Sequence, residues 1–416
     1  MTSKIIVNNI ESDVGISSVT FNDTISGNLE GNINSSGTST FNVISGVSTI
    51  GVTTVHLTGI NDLSYPTAGP LSNRNVIVNG SMRISQRQTS LTGETGGGYK
   101  CLDRFRIGIV NLGTWTYTQS TDAPAGFSRS FKCECTTADA SPAAGDLFNI
   151  QHRMEGQELQ RLKKGTSSAE SFTVSFWVKS NKTGTYNLQA EDTDNTRTNV
   201  RQYSIESANT WEYKTLTFDG DTTGALDDDT EQSFRLIWWL GSGTNYSSGT
   251  TPSTWEAATA TNNAVGNVNL ADSTSNVFYI TGVQMETGSV ATPFEHRIFS
   301  DELARCQRYF QKSYSYEDAP GTVTHGNRGN DFTFLEGGST SAHINIKFNP
   351  EMRITPNLTA YSIANANTTG VLTASSTDYS VSTNTTINSA KNYLVYAGGV
   401  TAADDIYVAW TANAEL

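Results

Sequence analysis

Apolar and polar residues alternate with a period of two along much of this chain. The runs SFTVSFWVKS, GTYNLQAE, TWEYKTLTF, SFRLIWWLG and NVFYITGVQME each show it, and each is bounded by Gly, Asn, Asp or Thr turns. Such alternation predicts half-buried strands, one face on a core and one toward solvent. Together they predict a jelly-roll β-sandwich over residues 71–297. Within it MEGQELQRLKKG breaks the rhythm and predicts one helical insert, closed by two lysines and Gly165. A second helix is predicted over residues 298–313, in SDELARCQRYFQKSY, with Ser300 as its cap and Leu303, Cys306, Tyr309 and Phe310 along one stripe. After it FTFLEG, HINIKFNPEM, YSVSTN, KNYLVYAGG and DIYVAWTAN predict a C-terminal β-sandwich over residues 314–416.

The first 70 residues read differently. Gly15-Ile-Ser-Ser-Val19, Gly37-Thr-Ser-Thr-Phe41, Gly46-Val-Ser-Thr-Ile50 and Gly51-Val-Thr-Thr-Val55 repeat one short phrase at irregular spacing. Each suits a short strand after a glycine turn, with too few hydrophobes to cover itself. Three copies of the chain side by side would bury one face per strand on a common axis, so residues 1–70 predict a trimeric β stalk. The alternative is a disordered Ser/Gly/Asn-rich tail. NDLSYPTAGPLSNRN, with two prolines and no periodicity, serves as the linker that follows. The fold class is therefore mainly β: stalk, jelly-roll body, short linking helix and C-terminal sandwich.

Composition narrows the function. Of 416 residues only 16% are charged, with a net charge of −13 and a pI near 4.8. No window concentrates Lys and Arg with aromatics, so nucleic acid is not an expected partner. No stretch approaches the ~20 apolar residues of a membrane span, and no membrane insertion is expected. The four cysteines, Cys101, Cys133, Cys135 and Cys306, suit buried reduced thiols. Cys133 and Cys135 lack the second ligand pair that zinc would need.

Catalytic motifs do not emerge. The five histidines are scattered, G-x-S-x-G and H-E-x-x-H do not occur, and GETGGGYK has the wrong glycine spacing for a phosphate loop. The acidic clusters EDTDN, DGDTTG and LDDDTE invite calcium or paired-carboxylate chemistry, but each also reads as a hairpin turn. No catalytic residue, metal or cofactor is expected. The aromatics are more suggestive, because a sugar ring stacks its apolar face on Trp or Tyr. In FRLIWWLG, alternation places Phe234, Leu236, Trp238 and Leu240 on one face and Arg235 with Trp239 on the other, and the next loop supplies Tyr246 and Trp255. Trp239, Tyr246 and Trp255 are the candidate ligand-binding residues. The alternative is that they fill the sandwich and pin its loops.

Several segments in order, NRNVIVNGSMRISQRQTS, YKCLDRFRI, MEGQELQRLKKGTSSAESFTVSFWVKSNKTGTY, TWEYKTLTFDGDTTG and GVQMETGSVATPFEHRIFSDELARCQRYFQKS, carry a resemblance. They resemble the body of tail-fibre and related receptor-binding proteins of tailed bacteriophages, especially marine phages that infect cyanobacteria and other ocean bacteria. Asp103-Arg104-Phe105 stands where that family usually has Asp-Arg-Trp, and Gln88 where Gly commonly follows Gln-Arg. The resemblance implies a homotrimeric virion protein, assembled in the host cytoplasm, with an N-terminal segment that attaches to other virion proteins, a carbohydrate-binding-like jelly-roll body and a distal β-domain, the C-terminal sandwich, that touches the host. It also implies that Arg104, Glu155, Trp177, Pro293 and Arg305 are scaffold. The expected function is a non-enzymatic trimeric adhesin that binds a host-surface saccharide or protein. The alternative is a connector or decoration such as a head fibre, collar or baseplate adaptor. A capsule depolymerase would show regular parallel rungs, and the sequence offers none.

Overall fold

The computed structural model describes residues 72–322, 331–333, 341–374, 376–383, 388–400 and 406–416. The predicted stalk lies outside the described residues. The described residues belong to one compact unit. Its first part is a sandwich of two antiparallel sheets. The six-stranded sheet runs, edge to edge, Ser90–Glu94, Thr114–Ser120, Ser130–Thr137, Val277–Thr287, Phe172–Ser180, Glu212–Phe218. The seven-stranded sheet runs Glu256–Ala257, Arg197–Ile205, Gly184–Asp192, Gln232–Ser242, Leu147–Glu155, Phe105–Val110, Gly98–Tyr99.

Period-two alternation explains what lies between the sheets. Phe234, Leu236, Trp238 and Leu240 are all fully buried and share a core with Phe148, Phe176, Phe278 and Trp115. Rings interlock there: Trp115 stacks on Phe148 at 3.9 Å, and Phe176 meets Trp238 edge-on at 5.8 Å. All four cysteines are buried with free thiols, and burial pushes the Cys101 thiol up to about 12. Such thiols pack as small hydrophobes.

The predicted insert is not an α-helix. The strand continues through Glu155, and two single 3₁₀ turns follow, Gly156–Glu158 and Gln160–Leu162. Long-range partners override the helical pattern here. Glu155 is fully buried and accepts hydrogen bonds from Arg308 Nε and Nη2 at 2.9 and 2.7 Å and from the Tyr309 hydroxyl. Leu159 and Leu162 turn into the core, and Lys164 Nζ lies 2.5 Å from Asp192 and 3.1 Å from Asp221.

The linking helix is shorter than predicted, Phe299–Gln307, and Ser300 does not cap it: Ile298 stands at the N-cap with no side-chain bond. Cys306 is buried on its inner face, but the chain then leaves the helix, and Phe310–Lys312 becomes a strand paired with Thr411–Asn413. Ile406–Asn413 is the hub of the C-terminal sheets, pairing also with Asn357–Tyr361, Val371–Ala374 and Asp331–Thr333. A three-stranded sheet of Ser341–Lys347, Asn392–Gly398 and Ser382–Thr383 completes that part around its own core of Ile344, Ile346, Val395, Val408 and Trp410.

Ion pairs fasten the two cores together. Arg104 is buried, pairs with Glu415 and stacks over the Tyr309 ring at 3.4 Å. Arg353 donates to the carbonyls of Thr230 and Ala414 at 2.6 and 2.8 Å. The residues that the resemblance implies as scaffold behave variously. Arg104 and Glu155 bridge the parts, Trp177 packs on Tyr213 at 5.2 Å, the Pro293 carbonyl accepts from Arg74, and Arg305 is exposed.

Candidate functional site

On the outer face of the seven-stranded sheet, strand register builds a floor in rows. Pairing sets Glu191, Arg235 and Arg153 side by side, then Gln189, Ile237, Gln151 and Arg106, then Trp239, Asn149 and Gly108. These are the outward positions of four strands whose inward neighbours fill the core, as alternation requires. They line a groove of about 610 Å³, walled on one side by Tyr246, Ala258, Ala260 and Asn263 and on the other by Gly97 and Val110.

The floor is rich in hydrogen-bonding groups. Arg235 grips Glu191 through both Nε and Nη2, at 2.8 and 2.9 Å. Gln151 Oε1 accepts from Arg153 Nε and Nη2 at 3.2 and 3.1 Å and from Arg106 Nη1 at 3.4 Å. Gln151 Nε2 in turn donates to Asn149 Oδ1 at 2.9 Å. Burial lowers the Arg153 pKa to about 10, with Arg106 and Arg235 acting in the same direction against Tyr99 and Glu191. Gly108 leaves room for this amide pair, since a Cβ there would stand 2.3 Å from Asn149 Oδ1. The Asn263 Oδ1 atom is buried in the wall without a partner.

Of the three candidate residues, the structure brings two together. The Trp239 and Tyr246 rings lie 5.3 Å apart at 37°, packed with Ile237 and Ala264. Trp239 is only 3% exposed, and its indole N–H donates to Gln189 Oε1 at 2.9 Å. It therefore supports the floor, while half-buried Tyr246 presents the open aromatic surface. Trp255 is elsewhere. It packs on the sandwich core beside Phe172 and Phe234 and donates its indole N–H to the Asp219 carbonyl at 2.7 Å. The edge strand Glu256–Ala257, paired with Arg197 and Thr198, carries the chain round the sandwich edge between Trp255 and Ala258.

Sequence reasoning missed most of the floor: Arg106, Asn149, Gln151, Arg153, Gln189 and Glu191. A signal was present in LFNIQHRME and GTYNLQAED, where polar residues recur every second position opposite a mostly apolar face. The acidic clusters converge, but on cations of the chain itself: Asp221 takes both Lys164 and Arg197. Among the described residues no group of three His, Cys, Asp or Glu could hold a metal ion.

A second cavity, of about 90 Å³, lies near Arg104, Glu155, Arg297 and Arg308. Those charges are already paired, with Glu415, Arg308, Glu302 and Glu155 respectively.

No protein-family model matches the sequence, and no curated protein matches it. Solved structures give distant likenesses. The enzymatically active domain of bacteriophage CBA120 tailspike protein 4 is 13% identical with a TM-score of 0.27, over 51% of this chain and 21% of that one. TmCBM61 in complex with β-1,4-galactotriose is 13% identical with a TM-score of 0.24, over 51% and 99%. The family 11 carbohydrate-binding module of Clostridium thermocellum, in complex with a β-1,3-1,4-mixed-linked tetrasaccharide, is 10% identical with a TM-score of 0.22, over 49% and 89%. Likeness this slight carries no function across, and the groove's own chemistry has to speak for it.

Proposed function

We propose that this chain is a saccharide-binding protein and, on the sequence resemblance, a trimeric fibre adhesin of a tailed phage that touches its host through this groove. One observation carries the reading. An open groove of about 610 Å³ combines a row of amides and guanidinium groups with Ile237 and the Tyr246 ring. Amides and guanidiniums suit sugar hydroxyls, and an aromatic edge suits a pyranose face. Three such sites on one fibre would raise avidity without any deep pocket.

We read the site as non-enzymatic. Glycosidic hydrolysis by the common mechanism uses two carboxyl groups ~5–10 Å apart. Among the described lining residues Glu191 is the one carboxylate, and Arg235 holds both of its oxygens.

The test is adsorption competition. Purified protein is added to host cells before the phage that encodes it, and unadsorbed virions are counted. Inhibition that saturates with dose and is lost in Tyr246→Ala supports the adhesin. No inhibition by well-folded protein would favour the connector reading instead.

A further inference from the structure

We infer that the groove takes an acidic saccharide, seating a uronate carboxylate or a sulfate ester between Arg106 and Arg153. This rests on the saccharide-binding reading and specifies its ligand class.

The register places like charges together. Arg235 stands directly opposite Arg153 across one strand pair, and Arg106 lies opposite Gln151, diagonal to Arg153. Like charges opposite one another destabilise a sheet. Arg235 is compensated by Glu191. Among the described residues neither Arg106 nor Arg153 has an Asp or Glu carboxylate within ion-pair distance. Both lean on the same neutral atom, Gln151 Oε1, and Arg153 also donates from Nη1 to a main-chain oxygen of Leu416 at 3.0 Å.

Arg106 is the emptier of the two. Its hydrogen bonds are both from Nη1, at 3.4 Å, to Gln151 Oε1 and to the Ile107 carbonyl. Nε and Nη2 remain for a ligand. A planar guanidinium fork suits a carboxylate or sulfate in bidentate geometry. The whole chain carries −13, whereas the groove lining has three arginines against one glutamate. A cationic floor inside an anionic protein repels cationic ligands and draws an anionic group only at short range, within about 8–10 Å at ordinary salt. The neighbouring amide groups of Asn149 and Gln151 are left to read hydroxyls.

The experiment titrates full-length protein calorimetrically with four probes in two pairs: a galacturonate oligomer and its methyl ester, and a sulfated galactan and its desulfated counterpart. The acidic member of each pair should bind about tenfold tighter than the neutral one, as expected for charge-assisted bonds. Raising NaCl from about 50 to 500 mM should erase most of that difference. Arg106→Gln and Arg153→Gln should each abolish the difference in affinity between the acidic and neutral members of a pair, while Arg106→Lys should restore part of the preference. Thermal melts confirm that the variants fold. Preference for the carboxylate pair alone, or the sulfate pair alone, identifies the source of the anion, and either supports the proposal. Equal affinity for acidic and neutral members overturns it and leaves the saccharide reading standing. Binding of no saccharide at all overturns both.

Discussion

Gly108→Ala separates the groove's chemistry from the sandwich's stability. The new Cβ would stand 2.3 Å from Asn149 Oδ1 and 2.7 Å from Gln151 Nε2, where ordinary contact begins at 3.4 Å. Both atoms are at the ends of side chains, so they swing aside by roughly 1 Å and no strand moves. Their mutual bond of 2.9 Å is lost, at about 0.5–1.5 kcal/mol. Alanine restricts the unfolded chain by about 0.4–1 kcal/mol in the opposite sense. Net stability should therefore change by less than about 1 kcal/mol, within reach of urea unfolding. Binding should change more. A methyl fills the floor, and two amides leave their positions, each worth about 0.5–1.5 kcal/mol to a ligand. Calorimetric titration should show affinity about tenfold weaker, since 1.4 kcal/mol is a factor of ten. Unchanged affinity would refute the reasoning that these amides face a ligand. A loss of more than about 3 kcal/mol of stability would show that the pair holds the sheet together instead.

Three further expectations follow from the same geometry. Trp255→Ala should destabilise the sandwich by about 2–3 kcal/mol in urea unfolding, because half-buried aromatic packing is lost, and should leave saccharide affinity within about twofold. Lys164→Met leaves the buried carboxylates of Asp192 and Asp221 without their shared ammonium, so unfolding free energy should fall by about 3–5 kcal/mol. Burial pushes the Glu155 and Asp221 carboxyls up, but hydrogen bonds from Arg308 and Tyr309 to the first and from Arg197 to the second outweigh it and hold both below the ordinary carboxylate range. Their stabilisation is then complete above the unfolded values near ~4 and is lost as pH falls through the lower folded values. Melting temperature should decline as pH drops below about 4, and a melt that improved in acid would contradict the assignment.

The alternation of SFRLIWWLG sufficed to send Trp238 inward and Trp239 outward with Arg235, because a strand's two faces are a local property of sequence. The 154–165 segment was not legible in this way. Its helical pattern is real, but Glu155 finds Arg308 and Lys164 finds Asp192 and Asp221, partners set by the tertiary fold. Ser300 similarly had the chemistry of a cap and sits inside the helix, since the chain entering at Ile298 fixes where the first turn begins. The groove was half visible. Tyr246 and Trp255 are near in sequence and part company at the sandwich edge, whereas Arg106, Arg153 and Arg235 are far apart and meet only through sheet order. Pairing of that kind has no local signature.

Whether the outer face of the seven-stranded sheet holds a saccharide is seen in the crystal structure of the protein grown with an oligosaccharide. Density is expected along the floor, with a sugar ring against Tyr246 and polar contacts to Gln151 and Arg106. Well-ordered saccharide on the C-terminal sheets, with this groove holding only solvent, would contradict it.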